Sequence, residues 1–264
     1  MFVTRLISGI IMVIIALATI ITGGWVLFGV MLLLSLIGVF ELYRACEVKN
    51  AKQLIGPMDL VGYLAVLLYY ASIVLADGKY QLTAVIVGLV MLMFVYVFTY
   101  PRYDAEQTMA AFFGLVYVAV MLSFIYQTRM LEGGKFHVWL IFLCAWGCDT
   151  CAYCAGRLLG KHKMAPVLSP KKSVEGAVGG FIGAVLLGVI YAVCTGGPIL
   201  IYAIICGVGA LISMVGDLAA SAIKRNKAIK DYGKLIPGHG GVLDRFDSII
   251  FTAPIIYFLA AALM

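Results

Sequence analysis

The chain has 264 residues, of which 64% are hydrophobic and only 12% are charged, and its formal net charge is +6. A mean hydropathy of +1.07 excludes an ordinary soluble globular domain and predicts a polytopic membrane protein. No stacking aromatic residues interleave the lysines, so the positive charge does not favour nucleic-acid binding.

Nine apolar segments along the chain are each about long enough to cross a bilayer. The predicted spans are 5–22, 25–45, 58–75, 82–100, 108–127, 138–158, 174–193, 198–216 and 248–263. The first segment lacks a small-residue cleavage site followed by a polar sequence, so we interpret it as a retained span and not as a signal peptide. The pattern predicts an all-α polytopic membrane fold with about nine transmembrane helices.

The distribution of basic residues predicts the orientation. With a cytoplasmic N-terminus, all of the 19 Lys and Arg residues lie on the cytoplasmic side except Lys79, Arg129 and Lys135. This bias suits anionic headgroups and nucleotides at the cytoplasmic face. Because most charges border the last four spans, residues 1–135 are predicted to be a transmembrane scaffold and residues 136–264 a catalytic region with two cytoplasmic loops.

The eighth span ends in SMVGDLAASAIKRNKAIK, which is predicted to continue as a helix beyond the membrane surface. On that helix Asp217, Ser221 and Lys224 share one face, so that a carboxylate, a hydroxyl and an ammonium group line one groove. The alternative is an ordinary solvated helix end.

A polar stretch, residues 221–247, separates the last two spans. Its PGHGG segment, residues 237–241, cannot be regular helix, and its glycines allow backbone amides to approach an anion. Asp244 and Asp247 follow at the start of the ninth span. They could be an N-capping pair, but one cap does not need two aspartates, an arginine and a PGHGG loop.

Magnesium suits these carboxylates, because it takes oxygen ligands and is usually held by one or two carboxylates plus substrate phosphates. Asp217 and Asp244 are the predicted pair. His239 is a weaker metal candidate, because imidazole is a poor ligand for a hard ion. A phosphate contact or a structural hydrogen bond is the preferred interpretation of His239.

A second basic cluster, residues 156–180, follows the sixth span. Ser169 and Pro170 resemble a helix cap and first-turn pair, which would place Lys171, Lys172 and Ser173 around the N-terminus of the seventh helix as a seat for a triphosphate. The alternative is an ordinary positive-inside loop.

Just upstream, Asp149, Tyr153 and Arg157 recur at i, i+4 and i+8. An ionisable residue inside a span, as Asp149 is, is a functional candidate by default. The interleaved CxxCxxC pattern could indicate an iron–sulfur site. A helix would spread these thiols along its length, however, and no fourth cysteine completes the motif, so they are interpreted as small packing residues.

Residues 221–247 resemble the signature of the phosphatidate cytidylyltransferases, also called CDP-diacylglycerol synthases, in the pattern S-x-x-K-R, K-D, P-x-H-G-G, D-R-x-D. The second cluster is similar to the same family's W-x-x-D-T-x-A-Y, G-R, G-K and S-P-K-K-[ST]-x-E-G motifs. The resemblance covers about residues 146–247. One departure is Cys151, where the family pattern has glycine.

The resemblance implies a homodimeric, all-helical enzyme. The hydropathy predicts that this enzyme is an integral, multi-pass membrane protein, and the distribution of basic residues predicts that its active site lies on the cytoplasmic face. The resemblance also implies the condensation of CTP with phosphatidic acid to CDP-diacylglycerol and pyrophosphate. Magnesium is the implied cofactor, and potassium is a candidate second ion. Besides its two substrates, the expected partners are membrane lipids.

The predicted site consists of residues that match the motifs, together with Asp217, which lies just before the 221–247 signature. Asp217 and Asp244 would hold the metal. The predicted catalytic residues are Lys224, Arg225, Lys230, Asp231, His239 and Asp247. The predicted substrate-binding residues are Asp149, Tyr153, Arg157, Lys161, Lys171, Lys172, Ser173, Glu175, Ser221 and Arg245.

Two other functions compete with this hypothesis. A CTP-dependent lipid-alcohol kinase would use the same nucleotide, with a hydroxyl group as acceptor and CDP as product. A transporter could also carry intramembrane aspartates, but its charges should line a path across the bilayer, whereas here they gather at one face.

Overall fold

The computed structural model describes residues 2–48, 56–238 and 240–264. It is built almost entirely of helices, with one short hairpin. The helices are α1 (Phe2–Thr22), α2 (Gly24–Ala45), α3 (Pro57–Val74), α4 (Gln81–Phe98), α5 (Ala105–Gly114), α6 (Met121–Met130), α7 (Gly134–Phe142), α8 (Cys148–Leu159), α9 (Val174–Thr195), α10 (Ile199–Asn226) and α11 (Leu243–Leu263). Wider π-helical turns at Leu115–Val120 and Leu143–Gly147 join α5 to α6 and α7 to α8.

Among the residues that the structure describes, eight continuous helices are long and apolar enough to cross a membrane, with α5–α6 counted as Ala105–Met130 and α7–α8 as Gly134–Leu159. The first predicted span falls in α1, where Ser8–Thr22 forms a shorter apolar helix. The protein is therefore an all-α polytopic membrane protein, as predicted, whereas the cytoplasmic position of its N-terminus stays a prediction.

The chain forms two compact units. Unit 1 comprises Met1–Ala16, Trp25–Ser123 and Ile229–Arg245, and unit 2 comprises Leu17–Gly24, Phe124–Ala228 and Phe246–Met264. The predicted roles of residues 1–135 as a transmembrane scaffold and of residues 136–264 as a catalytic region concern function, and they stay a prediction.

Buried tyrosines occupy the core of unit 1. The Tyr43 hydroxyl donates to the Ala111 carbonyl at 2.8 Å, and the Tyr70 and Ser35 hydroxyls are 2.7 Å apart. Each ring fills apolar space while its hydroxyl finds a partner, which a polar atom inside a membrane protein needs.

Small residues let the helices of unit 2 approach closely. A Cβ atom on Gly180 would come within 2.8 Å of Ala152, and one on Gly183 would overlap the Cys151 side chain. Such contacts are typical of helix packing in membranes. They also show how Cys151 is accommodated, since a glycine on α9 faces it.

The connection between α8 and α9 differs from the prediction. Residues 169–173 form a strand, β2 (Ser169–Ser173), which pairs antiparallel with β1 (Lys163–Ala165). The prediction that Ser169 and Pro170 cap the seventh helix is therefore wrong. The cap is Ser173, whose hydroxyl accepts a hydrogen bond from the Gly176 amide at 3.1 Å.

The predicted continuation of the eighth span as a helix is confirmed as far as Asn226, whereas residues 227–230 lie beyond the end of the helix. Helix α10 runs unbroken to Asn226 and carries Asp217, Ser221 and Lys224 on the same helix. The loop that follows is not regular helix, and α11 begins at Leu243.

Candidate active site

A cavity of about 370 Å³ that contains several charged side chains lies within unit 2, between α8, the hairpin, α9 and α10. The predicted site residues that line it are Asp149, Tyr153, Arg157, Lys171, Lys172, Ser173 and Asp217. Small or apolar residues complete the wall: Ala152, Gly156, Met164, Gly176, Ala177 and Met214. The fold thus gathers three sequence motifs that were predicted separately.

An ion pair between Lys172 Nζ and Asp217 Oδ2 crosses this cavity. The two side chains are 26% and 25% exposed, so both remain accessible to a ligand. On α8, the Arg157 guanidinium donates to the Tyr153 hydroxyl at 3.4 Å. The cavity therefore holds cations whose present partners are other side chains.

The N-terminus of α9 adds to the positive character of the cavity. Unpaired amides and the helix dipole make a helix N-terminus favourable to anions. Ser173, the N-cap, accepts from the Gly176 amide through its oxygen, which leaves its hydroxyl proton able to donate to a ligand. Cations and this helix end together can bind a phosphate group.

Glu175 fastens the start of the hairpin. Its carboxylate accepts from the backbone amides of Lys161 at 3.0 Å and His162 at 3.2 Å, and it lies 2.6 Å from His162 Nδ1. Neither Glu175 nor Lys161 lines the cavity. The contacts that the structure gives Glu175 hold the segment that presents Lys171 and Lys172.

Three carboxylates of unit 2 come from different helices. Asp247 of α11 interacts electrostatically with Asp217 and Asp149, and with the Lys224 ammonium group. The Ser248 amide donates to Asp247 Oδ1 at 2.9 Å, and the Ser248 hydroxyl lies 3.5 Å from Asp149 Oδ2. The site therefore offers carboxylate oxygens beside cations.

The remaining predicted residues of unit 2 lie on α10. Ser221 and Lys224 are half-buried and Arg225 is exposed, and none of the three lines the cavity.

The signature loop of unit 1, residues 229–245, is organised by buried carboxylates. Asp244 is 6% exposed, and its Oδ2 accepts from the amides of Tyr232 at 2.8 Å and Gly241 at 2.9 Å. Lys230 and Asp231 are exposed. His239 lies outside the described residues. The Arg245 side chain has a buried Nε with no hydrogen-bond partner among the residues that the structure describes.

Glu41 is the residue that the sequence reasoning missed. It is 3% exposed in α2, and its two oxygens accept from the amides of Val242 at 3.0 Å and Leu243 at 2.9 Å. The available signal was a single acidic residue in an otherwise apolar part of the second span, which is a functional candidate by default.

The donor set in unit 2 fits magnesium, since Asp149, Asp217 and Asp247 supply only hard oxygen ligands. Within the described residues, no group of three or more His, Cys, Asp or Glu side chains is arranged as a metal cluster. Substrate phosphates would have to complete the coordination, as is usual for this ion.

Comparison with known proteins agrees with this chemistry. Residues 3–263 match the model of the cytidylyltransferase family. A phosphatidate cytidylyltransferase of Staphylococcus saprophyticus is 32% identical over 257 residues, which cover 97% of each chain. Those of Staphylococcus haemolyticus and Staphylococcus aureus are 31% identical over 259 and 261 residues, again 97% of each chain. The chain is thus a nucleotidyltransferase, and it belongs to the cytidylyltransferase family.

Proposed function

We propose that this protein transfers the cytidylyl group of CTP to phosphatidic acid and produces CDP-diacylglycerol and pyrophosphate. An oxygen of the lipid phosphate attacks the α-phosphorus of CTP, and the bond from that phosphorus to the bridging oxygen of the β-phosphate breaks. The observation that carries the proposal is the cavity of unit 2, where Lys171, Lys172 and Arg157 stand beside Asp217 at the N-terminus of α9.

The cations of the cavity hold and neutralise phosphate groups. Phosphoryl-type transfer depends on positioning and charge neutralisation more than on covalent help from the protein. Lys172 is paired with Asp217 and about a quarter exposed, so its ammonium group is accessible to a phosphate. The second pKa of a phosphate monoester is about 6, so the lipid phosphate is largely ionised at neutral pH and needs no strong general base.

Asp217 is the central carboxylate of the proposed metal site. Asp149 lines the same cavity, and Asp247 interacts electrostatically with both of these aspartates. When bound there, Mg²⁺ would offset the negative charge of the nucleotide phosphates. The partnership of Asp217 with Asp244 stays a prediction, as does a potassium ion.

Lys224 and Arg225 end α10, and Lys230 follows in the signature loop. We assign these cations to the leaving pyrophosphate or to the lipid phosphate, with Asp231 orienting them. Ser221 and Arg245 are assigned to substrate binding. These roles follow from the family motif that the residues complete.

We place the active site on the cytoplasmic face of the membrane. The support is the concentration of Lys and Arg in the segments that a nine-span topology puts on one side. A homodimer, expected from the resemblance to the family, stays a prediction.

Two CTP preparations, one labelled at the α-phosphate and one at the γ-phosphate, test the reaction. Purified protein is incubated with phosphatidic acid in detergent micelles and magnesium, and the control omits the lipid. We expect the α-label in the lipid and the γ-label in pyrophosphate. A γ-label in the lipid, with CDP as the other product, would identify a kinase instead. Repeating the assay with diacylglycerol or a polyprenol as acceptor identifies the substrate of such a kinase.

A further inference from the structure

We infer that Glu41 is a positioning residue for the signature loop, although it lies in an N-terminal helix far from that loop in sequence. It contacts the loop backbone at Val242 and Leu243. Its catalytic consequence rests on the proposed function, whereas its effect on the loop does not.

Glu41 provides hydrogen-bond acceptors for the start of α11. The amides at the start of a helix have no partner within that helix. At the start of α11 the amides of Val242 and Leu243 are bonded by the two oxygens of Glu41, one to each. All four atoms are buried, so removal of the carboxylate would leave two amides without an acceptor.

The loop backbone also packs closely against the Glu41 carboxylate. Gly233 and Gly241, which flank the β-bridge between Ile236 and Gly240, both lie against the Glu41 carboxylate, and a Cβ atom at either position would overlap it. The loop backbone therefore closes around this carboxylate from two sides. The Glu41 carboxylate thus fixes the backbone positions of both loop segments, the one that contains Gly233 and the one that contains Gly241.

Other side chains of α1 and α2 also bind the loop backbone. One turn after Glu41, the Arg44 guanidinium donates to the carbonyl of Tyr232. Ser8 of α1 donates to the carbonyl of Pro237 at 3.0 Å. Side chains of α1 and α2 thus bind the loop at three places, and Asp244 closes it from within.

The loop that Glu41 holds carries predicted site residues. Lys230, Asp231, Asp244 and Arg245 sit on the segment that Glu41 holds. Reacting groups must be fixed to a fraction of an ångström for efficient transfer, and residues that support them at a distance determine that precision. Loss of Glu41 should therefore lower turnover more than substrate affinity.

Glu41→Gln is the test variant, because it keeps the size of the side chain. Its NH₂ group is a donor and cannot accept from an amide, so only one of the two backbone hydrogen bonds survives. Ser35→Ala is the matched control: Ser35 is also buried in α2, but its hydroxyl contacts Tyr70 and not the loop.

Hydrogen–deuterium exchange and kinetics are measured on the purified full-length variants. For Glu41→Gln we expect exchange of the amides in residues 232–243 to be at least about tenfold faster, and kcat at least about tenfold lower, with the KM values for CTP and phosphatidic acid within about threefold of those of the unaltered protein. Ser35→Ala should leave loop exchange and kcat unchanged. Glu41→Asp keeps both acceptor oxygens on a shorter side chain and should restore part of the turnover.

Unchanged exchange in Glu41→Gln would overturn the inference that Glu41 holds the loop. Faster exchange with an unchanged kcat would overturn its role in the reaction. If Glu41→Gln does not fold, Gly241→Ala takes its place, because an added Cβ there overlaps the Glu41 carboxylate and must displace it or the loop, and the same two outcomes decide. Failure of the unaltered protein to form CDP-lipid would count against the proposed function and leave the exchange result standing.

Discussion

The charged side chains around the signature loop of unit 1 differ from those in the cavity of unit 2 in their burial and in their bonding partners. In the loop region Glu41 and Asp244 are 3% and 6% exposed, and both bind backbone amides. In the cavity Lys172 and Asp217 are about a quarter exposed and bind each other.

This difference separates positioning from substrate contact. A charge removed from water is costly unless hydrogen bonds replace its hydration, and backbone amides supply these hydrogen bonds to both oxygens of Glu41 and to Oδ2 of Asp244. A partly exposed ion pair loses little when one partner turns to another ligand. Carboxylates of the first kind fix the chain, and charges of the second kind are available to substrate.

Asp217→Asn tests the cavity side of this comparison and should have the largest effect. The variant loses the carboxylate charge that orients Lys172 and that would bind magnesium. We expect turnover to fall by about 10²–10³-fold or more, because preorganised electrostatic groups are worth that much. CDP-lipid formation is measured over a range of magnesium concentrations.

Asp104→Asn is the matched control for Asp217→Asn. Asp104 caps α5 by accepting from the Gln107 amide, and asparagine caps helices as well. Its activity should be near that of the unaltered protein. Near-normal activity of Asp217→Asn would instead show that this carboxylate is only an interfacial ion-pair partner.

Lys172→Met should have the next largest effect. It removes a charged phosphate contact while keeping an apolar stem of similar length. A hydrogen bond to a charged group is worth about 1.5–3 kcal/mol, so KM for CTP should rise by about 10–150-fold. Initial rates at varied CTP measure this, with Lys135→Met as control, since Lys135 lies over the Phe136 ring outside the cavity. An unchanged KM would remove Lys172 from the nucleotide site.

Local patterns in the sequence predicted much of the cavity. The spacing of Asp149, Tyr153 and Arg157 placed them on one helix face, and all three line the cavity. The absence of helix breakers after Gly216 predicted the long α10 that carries Asp217. Each of these inferences depends on the period of one helix, which a sequence shows directly.

Non-local contacts could not be predicted in the same way. SPKKS has the residues of a helix start, yet it forms a strand because residues 163–165 pair with it. Glu41 was visible as a lone acid in an apolar span, but its partners Val242 and Leu243 lie 201 and 202 positions away. The periodicity of residues along one helix gives no information about a contact between such distant positions.

Gly241→Ala tests the loop side of the comparison without altering a charge. The added methyl group would overlap the Glu41 carboxylate, so either the loop or Glu41 must shift. We expect turnover to be about tenfold lower, since small misplacements of reacting groups are costly. Gly29→Ala is the control, because an added Cβ there meets nothing within 4 Å. Equal turnover in both variants would show that the loop tolerates displacement.

Glu175→Gln should have the smallest effect, and it decides between two roles for this residue. The sequence predicts a substrate contact, whereas the structure shows a carboxylate that binds the Lys161 and His162 amides and the His162 ring. Because the His162 side chain is 79% exposed, solvent weakens this pair, and its loss should raise KM for CTP only about two- to fivefold while kcat stays constant.

Trypsin should also cleave the Glu175→Gln variant faster after Lys161 and Lys163, because the hairpin is less firmly attached. His162→Ala removes one side of the same pair, so the double variant should be no worse than the sum of the two single changes. If Glu175→Gln alone instead slowed turnover by about 100-fold or more, with hairpin cleavage unchanged, this carboxylate would have to contact the substrate, because only a group that stabilises the reacting charges has so large an effect on the rate.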